Sequence, residues 1–252
     1  MFINDHTDAN GDPNGERVSD LVSVIVPSKN RPDCVRRLLE SLRSQDYGRF
    51  EVIVVDDGSE PPLDPDCADV KVIRNDRSLG ASAARNRGFK TARGAMVVYL
   101  DDDAEVADPH LITRAVALAN SYPNCGAIAF RQLTAELVPS YMQPAPGSER
   151  CYVGQFFSYG CLIRSDVLVT VGGFDEVFFY YEEIELGLRL MDAGYTIIYD
   201  PEVSVIHHHD ERGRDYQTIY RQMLKNAILT ALLRFPASYA VVGVVPPMVR
   251  HL

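Results

Sequence analysis

The sequence predicts an α/β fold, with a mainly parallel central sheet flanked by helices, a smaller and less regular second half, and a closing C-terminal helix. Three observations predict it. Short apolar runs rich in β-branched residues alternate with segments of helical spacing through roughly the first hundred residues. The runs are apolar throughout rather than alternating, as strands covered on both faces are. Three of them stop at a polar or acidic cluster: "PSKN" at 27–30, "DDGS" at 56–59 and "DDD" at 101–103. In a parallel sheet those clusters converge at the carboxyl edge, where ligands bind.

Each element follows from local pattern. "LVSVIVP" (21–27) reads as a buried strand closed by Pro27. "RPDCVRRLLESLRSQ" (31–45) places Val35, Leu38, Leu39 and Leu42 on one helical face, with Pro32 near its start. "FEVIVVDDGS" (50–59) is a second strand running into a turn, and "VKVIRN" (70–75) a third. "SAARNRGFKTARG" (82–94) is a helix stopped by Gly94, and "AMVVYL" (95–100) the fourth strand. "PHLITRAVALANSY" (109–122) reads as helix, "CGAIAFRQL" (125–133) as strand, and 134–150, with three prolines, as loop. The aromatic, apolar stretch 152–176 contains a Gly-Gly turn. "EEIELGLRLMDAG" (182–194) is an amphipathic helix with Ile184, Leu186, Leu188 and Leu190 toward the core and Gly194 as its cap. "YTIIYDPEVSVIHHH" (195–209) gives two short strands, and 215–235 a long helix. The organisation expected is a flexible lead-in (1–20), a first half (21–133), a second half (134–212) and a helix with tail (213–252).

Bulk properties narrow the function. The chain has 252 residues and a formal net charge of -10, which argues against a broad nucleic-acid surface. Its five cysteines contain no C-x-x-C pair, so they read as reduced and mostly structural in a cytoplasmic protein, and no zinc site is implied. No run reaches the roughly 18 apolar residues of a membrane span. "YAVVGVVPPMV" near the C-terminus is broken by two prolines, although peripheral contact at the inner face of a membrane, through this segment and Arg221, Lys225, Arg234 and Arg250, is an alternative to simple packing. The first strand is not followed by a glycine-rich phosphate loop, since "PSKNRPD" has no glycine, which argues against a dehydrogenase or a nucleotidyltransferase.

The acidic clusters carry the chemistry. Three adjacent aspartates at the end of a buried strand repel one another unless solvated or neutralised. On an extended segment Asp101 and Asp103 point the same way, and hard oxygens suit Mn²⁺ or Mg²⁺, which bind through one or two carboxylates together with substrate phosphates. Glu182, Glu183 and Glu185 open a helix, where acidic residues also suit the helix dipole. In "VIHHH", His207 and His209 fall on one face of the strand and His208 on the other.

Taken in order, "VSVIVPSKNRP", "VIVVDDGS", "LGASAARNRG", "YLDDDAEV", "GGFDE", "EEIELGLRLMDAGY" and "VIHH" resemble the motifs of family 2 glycosyltransferases with the GT-A fold, over about residues 21 to 230. The likeness includes rhamnosyltransferases. It implies a nucleoside-diphosphate-sugar donor, a divalent metal (Mn²⁺ or Mg²⁺) and inversion at the anomeric carbon. The first half then binds the donor and the second the acceptor, which would be a carbohydrate, a lipid-linked or a small molecule. Carried onto this chain, Pro27, Ser28 and Asn30 line the nucleotide end. Asp57, or its neighbour Asp56, accepts a hydrogen bond from the base, which suits a uridine or thymidine nucleotide. Arg85 faces the diphosphate or lies on the surface. Asp101 and Asp103 match the metal and ribose positions, Asp102 belongs to the donor site, and His207 completes the metal shell. Glu183 stands where the family usually has an aspartate as general base, with Glu182 as the fallback. Gly160 lets the backbone approach the sugar, and Asp175 resembles an acceptor-side position. Tyr180 and Tyr181 are candidates for stacking on a sugar, with core packing the default. The competing classes are a catalytically silent subunit that keeps the nucleotide pocket and a nucleotidyltransferase, which can share a similar α/β core.

Overall fold

The structure is a computed structural model and describes residues 18–64, 69–209, 212 and 215–236. The expected lead-in up to residue 17, Cys67, and the apolar tail with Arg250 lie outside the described residues. In chain order the elements are β1 (Val18–Ser28), α1 (Pro32–Leu42), β2 (Phe50–Asp56), β3 (Val70–Arg74), α2 (Ala81–Thr91), β4 (Gly94–Leu100), β5 (Ala104–Glu105) and α3 (Leu111–Ser121). They continue with β6 (Cys125–Leu133), β7 (Cys151–Val153), β8 (Gly160–Arg164), α4 (Ser165–Val171), α5 (Glu182–Asp192), β9 (Thr196–His207) and α6 (Tyr216–Arg234).

The strands form one mixed sheet in the order β3-β2-β1-β4-β8-β6-β9-β5, with β7 also on β9. The block β3-β2-β1-β4 is wholly parallel, β8 enters antiparallel between β4 and β6, and β6 and β9 are parallel again. Successive strand residues serve opposite faces. Val22, Val24 and Val26 pack with Val35, Leu38, Leu39 and Leu42 of α1 and with Leu111, Ile112 and Ala115 of α3. Ile25, Ile53, Val97 and Tyr99 pack on the other face with Ala84 of α2, Val167 and Leu168 of α4, and Leu186 and Leu190 of α5. Each fully buried aliphatic side chain contributes about 1.5–3 kcal/mol of transfer free energy, so two covered faces explain the unbroken apolar runs.

Four expectations change. β1 begins at Val18, inside the expected lead-in, because Val18 pairs with Gly94. Gly94 opens β4 instead of ending α2, and a Cβ there would lie 2.6 Å from the Leu21 carbonyl oxygen. The stretch expected to give two strands forms one, Thr196–His207. Its register jumps from Phe130↔Asp200 to Arg131↔Ser204, so Pro201 falls in the unpaired bulge, the place for a residue with no N–H to give. The inward face of α5 is Glu182, Glu185, Leu186 and Leu190, while Ile184 and Leu188 are only half-buried. The four apolar residues first expected inside recur every two positions, which no single helical face allows. Glu185 is accommodated because Arg189 binds both its oxygens, at 2.8 and 2.7 Å, and Arg234 of α6 binds it as well. Arg234 therefore turns toward the protein.

Candidate active site

The carboxyl ends of β1, β2 and β4 open into a cleft of about 740 Å³. Pro27, Ser28, Asn30, Asp57, Arg85, Asp101, Asp102, Asp103, Glu182, Glu183 and His207 all line it. Parallel pairing explains the convergence: Ser28 lies beside Asp56, and Ile25 beside Tyr99, so the residues after each strand reach the same edge.

The three adjacent aspartates draw their partners from separate parts of the chain. Asp101 accepts from Arg85 Nη2 at 2.8 Å. Asp102 accepts from Ser28 Oγ at 2.7 Å and from Arg31 Nη1 at 3.1 Å. Asp103 Oδ1 lies 2.9 Å from His207 Nε2. Burial drives the Asp102 carboxyl up to about 6; the Ser28 hydroxyl and Arg31 oppose this, and the neighbouring aspartates add to it. His207 is delivered by the short β5–β9 pairing, in which Ala104 sits opposite His207 and the His208 N–H donates to the Asp103 carbonyl. His208 turns away to Glu105 Oε2 at 2.7 Å, while His209 returns to the side of His207, as strand alternation requires.

Asp101, Asp103 and His207 each bring one ligand atom to within 4.8 Å of the other two. The residues fit a divalent cation. Two carboxylates and one imidazole suit Mn²⁺, and the carboxylates suit Mg²⁺. His207 Nε2 is buried with no hydrogen-bond partner, 2.9 Å from Asp103 Oδ1.

Arg85 is 3% exposed. It does not lie on the surface: it bridges Asp101 and Glu182 Oε1 (3.1 Å), and its guanidinium sits 5.5 Å from the Phe174 ring centroid. Burial opposes its charge, but Asp101, Glu182 and Glu183 hold it firmly protonated. Glu182 is pushed up to about 8, first by burial and then by Glu183, against the pull of Arg85. Its Oε2 is buried without a partner. Glu183 is half-buried on the cleft wall, and its Oε1 accepts from the Ser158 amide at 3.1 Å and from Ser158 Oγ at 2.6 Å.

Asp57 accepts from Asn75 Nδ2 and Ser78 Oγ, both at 2.7 Å, and from the Leu79 and Gly80 amides at 2.9 and 3.0 Å. Burial alone would raise its pKa, but these donors hold it below the ordinary carboxylate value. Asp56 is not on the cleft. Its oxygens accept from the Ser59 and Leu63 amides and from Arg74, so it fixes the turn after β2. Asp175 is also off the cleft; its side chain accepts from the Val177 amide at 3.0 Å in a tight turn. Gly160 does not reach the cleft either. A Cβ there would meet Val205 Cγ2 at 2.8 Å and Phe130 Cδ2 at 2.9 Å, so its small size serves the packing of β8. Tyr180 and Tyr181 do line the cleft, both with left-handed backbones (φ 66° and 73°). Sequence reasoning missed Arg31, Ser158 and Gln132. Arg31 was within reach, because it directly follows the quoted "PSKN". Ser158 and Gln132 are joined to the site only by contacts distant in sequence.

The chain matches the model described as Glycosyl transferase family 2 over residues 23–160, just over half of its length. It belongs to that family. It is similar to the pre-mycofactocin glycosyltransferase of Mycobacterium tuberculosis (strain ATCC 25618 / H37Rv), 29% identical over 212 residues that cover 77% of this chain and 44% of that protein. The chain thus spans less than half the length of that relative. Its fold is that of GT-A glycosyltransferases. The mannosyltransferase PcManGT from Pyrobaculum calidifontis, solved with GDP-Man and Mn²⁺, superposes with a TM-score of 0.64 at 20% identity, covering 88% of this chain and 67% of that one. S. aureus TarS 1-349 in complex with UDP gives 0.61 at 18% identity, covering 91% and 71%.

Two predictions test this account of the site. Gly160→Ala should cost about 1–3 kcal/mol of stability in urea unfolding through overpacking, while the folded variant binds ligands in the cleft as the wild type does. A selective loss of binding would return Gly160 to the cleft. For Glu182, a folded-state pKa above the ordinary 4.5 means that its contribution to stability is fully present at low pH and is lost as pH rises through about 8. The melting temperature of Glu182→Gln relative to wild type should therefore climb across that window; a difference that does not change with pH contradicts the assignment.

Proposed function

We propose that this family 2 domain transfers a glycosyl group, with inversion, from a nucleoside-diphosphate sugar to an acceptor hydroxyl. The observation that carries the reading is the meeting of Asp101, Asp103 and His207 on the wall of the same cleft that holds Asp57 and Glu183. Asp101, Asp103 and His207 would hold Mn²⁺ or Mg²⁺, which when bound supplies Lewis-acid neutralisation of the donor's diphosphate. Asp57 and Asn30 hold the nucleoside end. A pyrimidine N3–H would take the place of one of Asp57's four present donors, which favours a uridine or thymidine nucleotide. Ser28 and Arg31 keep Asp102 in place beside the donor.

Glu183 accepts the acceptor's proton as the hydroxyl oxygen attacks the anomeric carbon and the bond from that carbon to the phosphate oxygen breaks, releasing the nucleoside diphosphate. The Ser158 amide and hydroxyl fix Oε1, leaving Oε2 for the acceptor. Glu182 is tied to Arg85 and buried, so it acts behind Glu183 by tuning its field. The acceptor is a hydroxylated carbohydrate or a glycolipid that enters beside Tyr180 and Tyr181.

Turnover of UDP-, dTDP- and GDP-sugars with and without Mn²⁺ tests the reading. Glu183→Gln should lower transfer about 10²–10⁴-fold while nucleotide affinity is kept. Asp103→Ala should abolish the metal-dependent rate; an unaltered rate in metal-containing buffer would falsify the mechanism.

A further inference from the structure

Gln132 is the penultimate residue of β6 and is fully buried. Its amide Nε2 lies 2.6 Å from His207 Nδ1 and 2.8 Å from His209 Nε2, while its Oε1 is buried with no partner. We infer that Gln132 is the positioning residue that selects the tautomer of His207 and so presents the Nε2 lone pair to a divalent cation. The inference rests on the metal reading given above.

A neutral imidazole carries one proton, on one nitrogen. When Nε2 holds a cation, the proton sits on Nδ1 and has to donate. The group 2.6 Å from Nδ1 is the Gln132 amide. With its nitrogen toward the rings, the amide donates to both histidines, and the His207 proton is confined to Nε2. In that state Nε2 cannot bind metal. Turning the amide over places Oε1 against Nδ1 as an acceptor and frees Nε2. The two ends of an amide are nearly isosteric, so the turn needs no repacking of heavy atoms. It also brings the partnerless oxygen to two ring N–H groups.

The surroundings hold everything else fixed. The Gln132 backbone N–H donates to Gln143 Oε1 at 3.1 Å, and Gln143 Nε2 donates back to the Gln132 backbone carbonyl. The Tyr159 ring stacks on His207 with centroids 5.4 Å apart, which sets the plane of the imidazole. Orientation of a ligating histidine through its other nitrogen is a general feature of metal sites.

Mn²⁺ titration of the full chain, followed by electron paramagnetic resonance, tests the inference. Gln132→Leu should bind Mn²⁺ about 10–100-fold more weakly. Gln132→Glu, whose carboxylate only accepts, should bind no more weakly than wild type. Wild-type binding with Gln132→Leu unchanged, or with Gln132→Glu as impaired as Gln132→Leu, overturns the inference and leaves the metal reading standing. A wild type that does not bind Mn²⁺ removes both. Should Gln132→Leu fail to fold, ¹⁵N NMR of Mg²⁺-saturated wild type decides: the inference requires the His207 proton on Nδ1, and a proton on Nε2 refutes it.

Discussion

Containment of negative charge at the end of β4 is the constraint on which the site depends. Asp101, Asp102 and Asp103 share a cleft with Glu182, Glu183 and Asp57, and several of these carboxylates are buried. Desolvated like charges at this density are unfavourable unless each finds a donor or a cation. The fold meets the requirement by drawing partners from separate elements: Ser28 from β1, Arg31 just before α1, Arg85 from α2 and His207 from β9. Arg85 has the widest reach, since it joins Asp101 on one wall to Glu182 on the other. Asp101 and Asp103 still converge with His207, and this is the place where a divalent cation would complete the neutralisation.

The wall carrying Glu183 is held by a second constraint. Tyr180 and Tyr181 both have left-handed backbones, a conformation costing about 1–3 kcal/mol per non-glycine residue. Side-chain donors hold the strained turn from outside it. Ser82 Oγ donates to the Phe178 carbonyl at 3.0 Å, and Asn226 Nδ2 donates to the Phe179 and Tyr180 carbonyls at 2.7 and 2.6 Å. This explains why α6 buries Asn226. Its inward side serves the backbone of the turn and Glu185, so the helix docks on α5 through polar groups.

Much of this architecture is legible in sequence because it is local. The apolar runs, the heptad-like spacing of Val35, Leu38, Leu39 and Leu42, and the acidic ends of the strands each sit within a short window. Topology then brings those ends together, which is why Ser28, Asp57, Asp101 and Asp103 could be named in advance. Local windows fail where the deciding contact is remote. Asp56 and Asp57 look equivalent in "VVDDGS", yet Arg74 and the Leu63 amide claim Asp56 for the turn. Gly160 is small because Val205 and Phe130 crowd it, and neither is near it in the chain. Gln132 meets His207 only because β6 and β9 pair with Gln132 beside Val205. The inward face of α5 was misjudged for another reason: apolar residues at every second position were placed on one helical face, whereas Arg85, Arg189 and Arg234 make burial of Glu182 and Glu185 tolerable.

The central claim is that the carboxylate cluster is built to work with a divalent cation and a nucleoside diphosphate together. Isothermal titration calorimetry of UDP, dTDP and GDP, with and without Mn²⁺, tests it most directly. The account predicts binding of UDP or dTDP that requires the metal. Absence of metal-dependent binding by any of the three would contradict it.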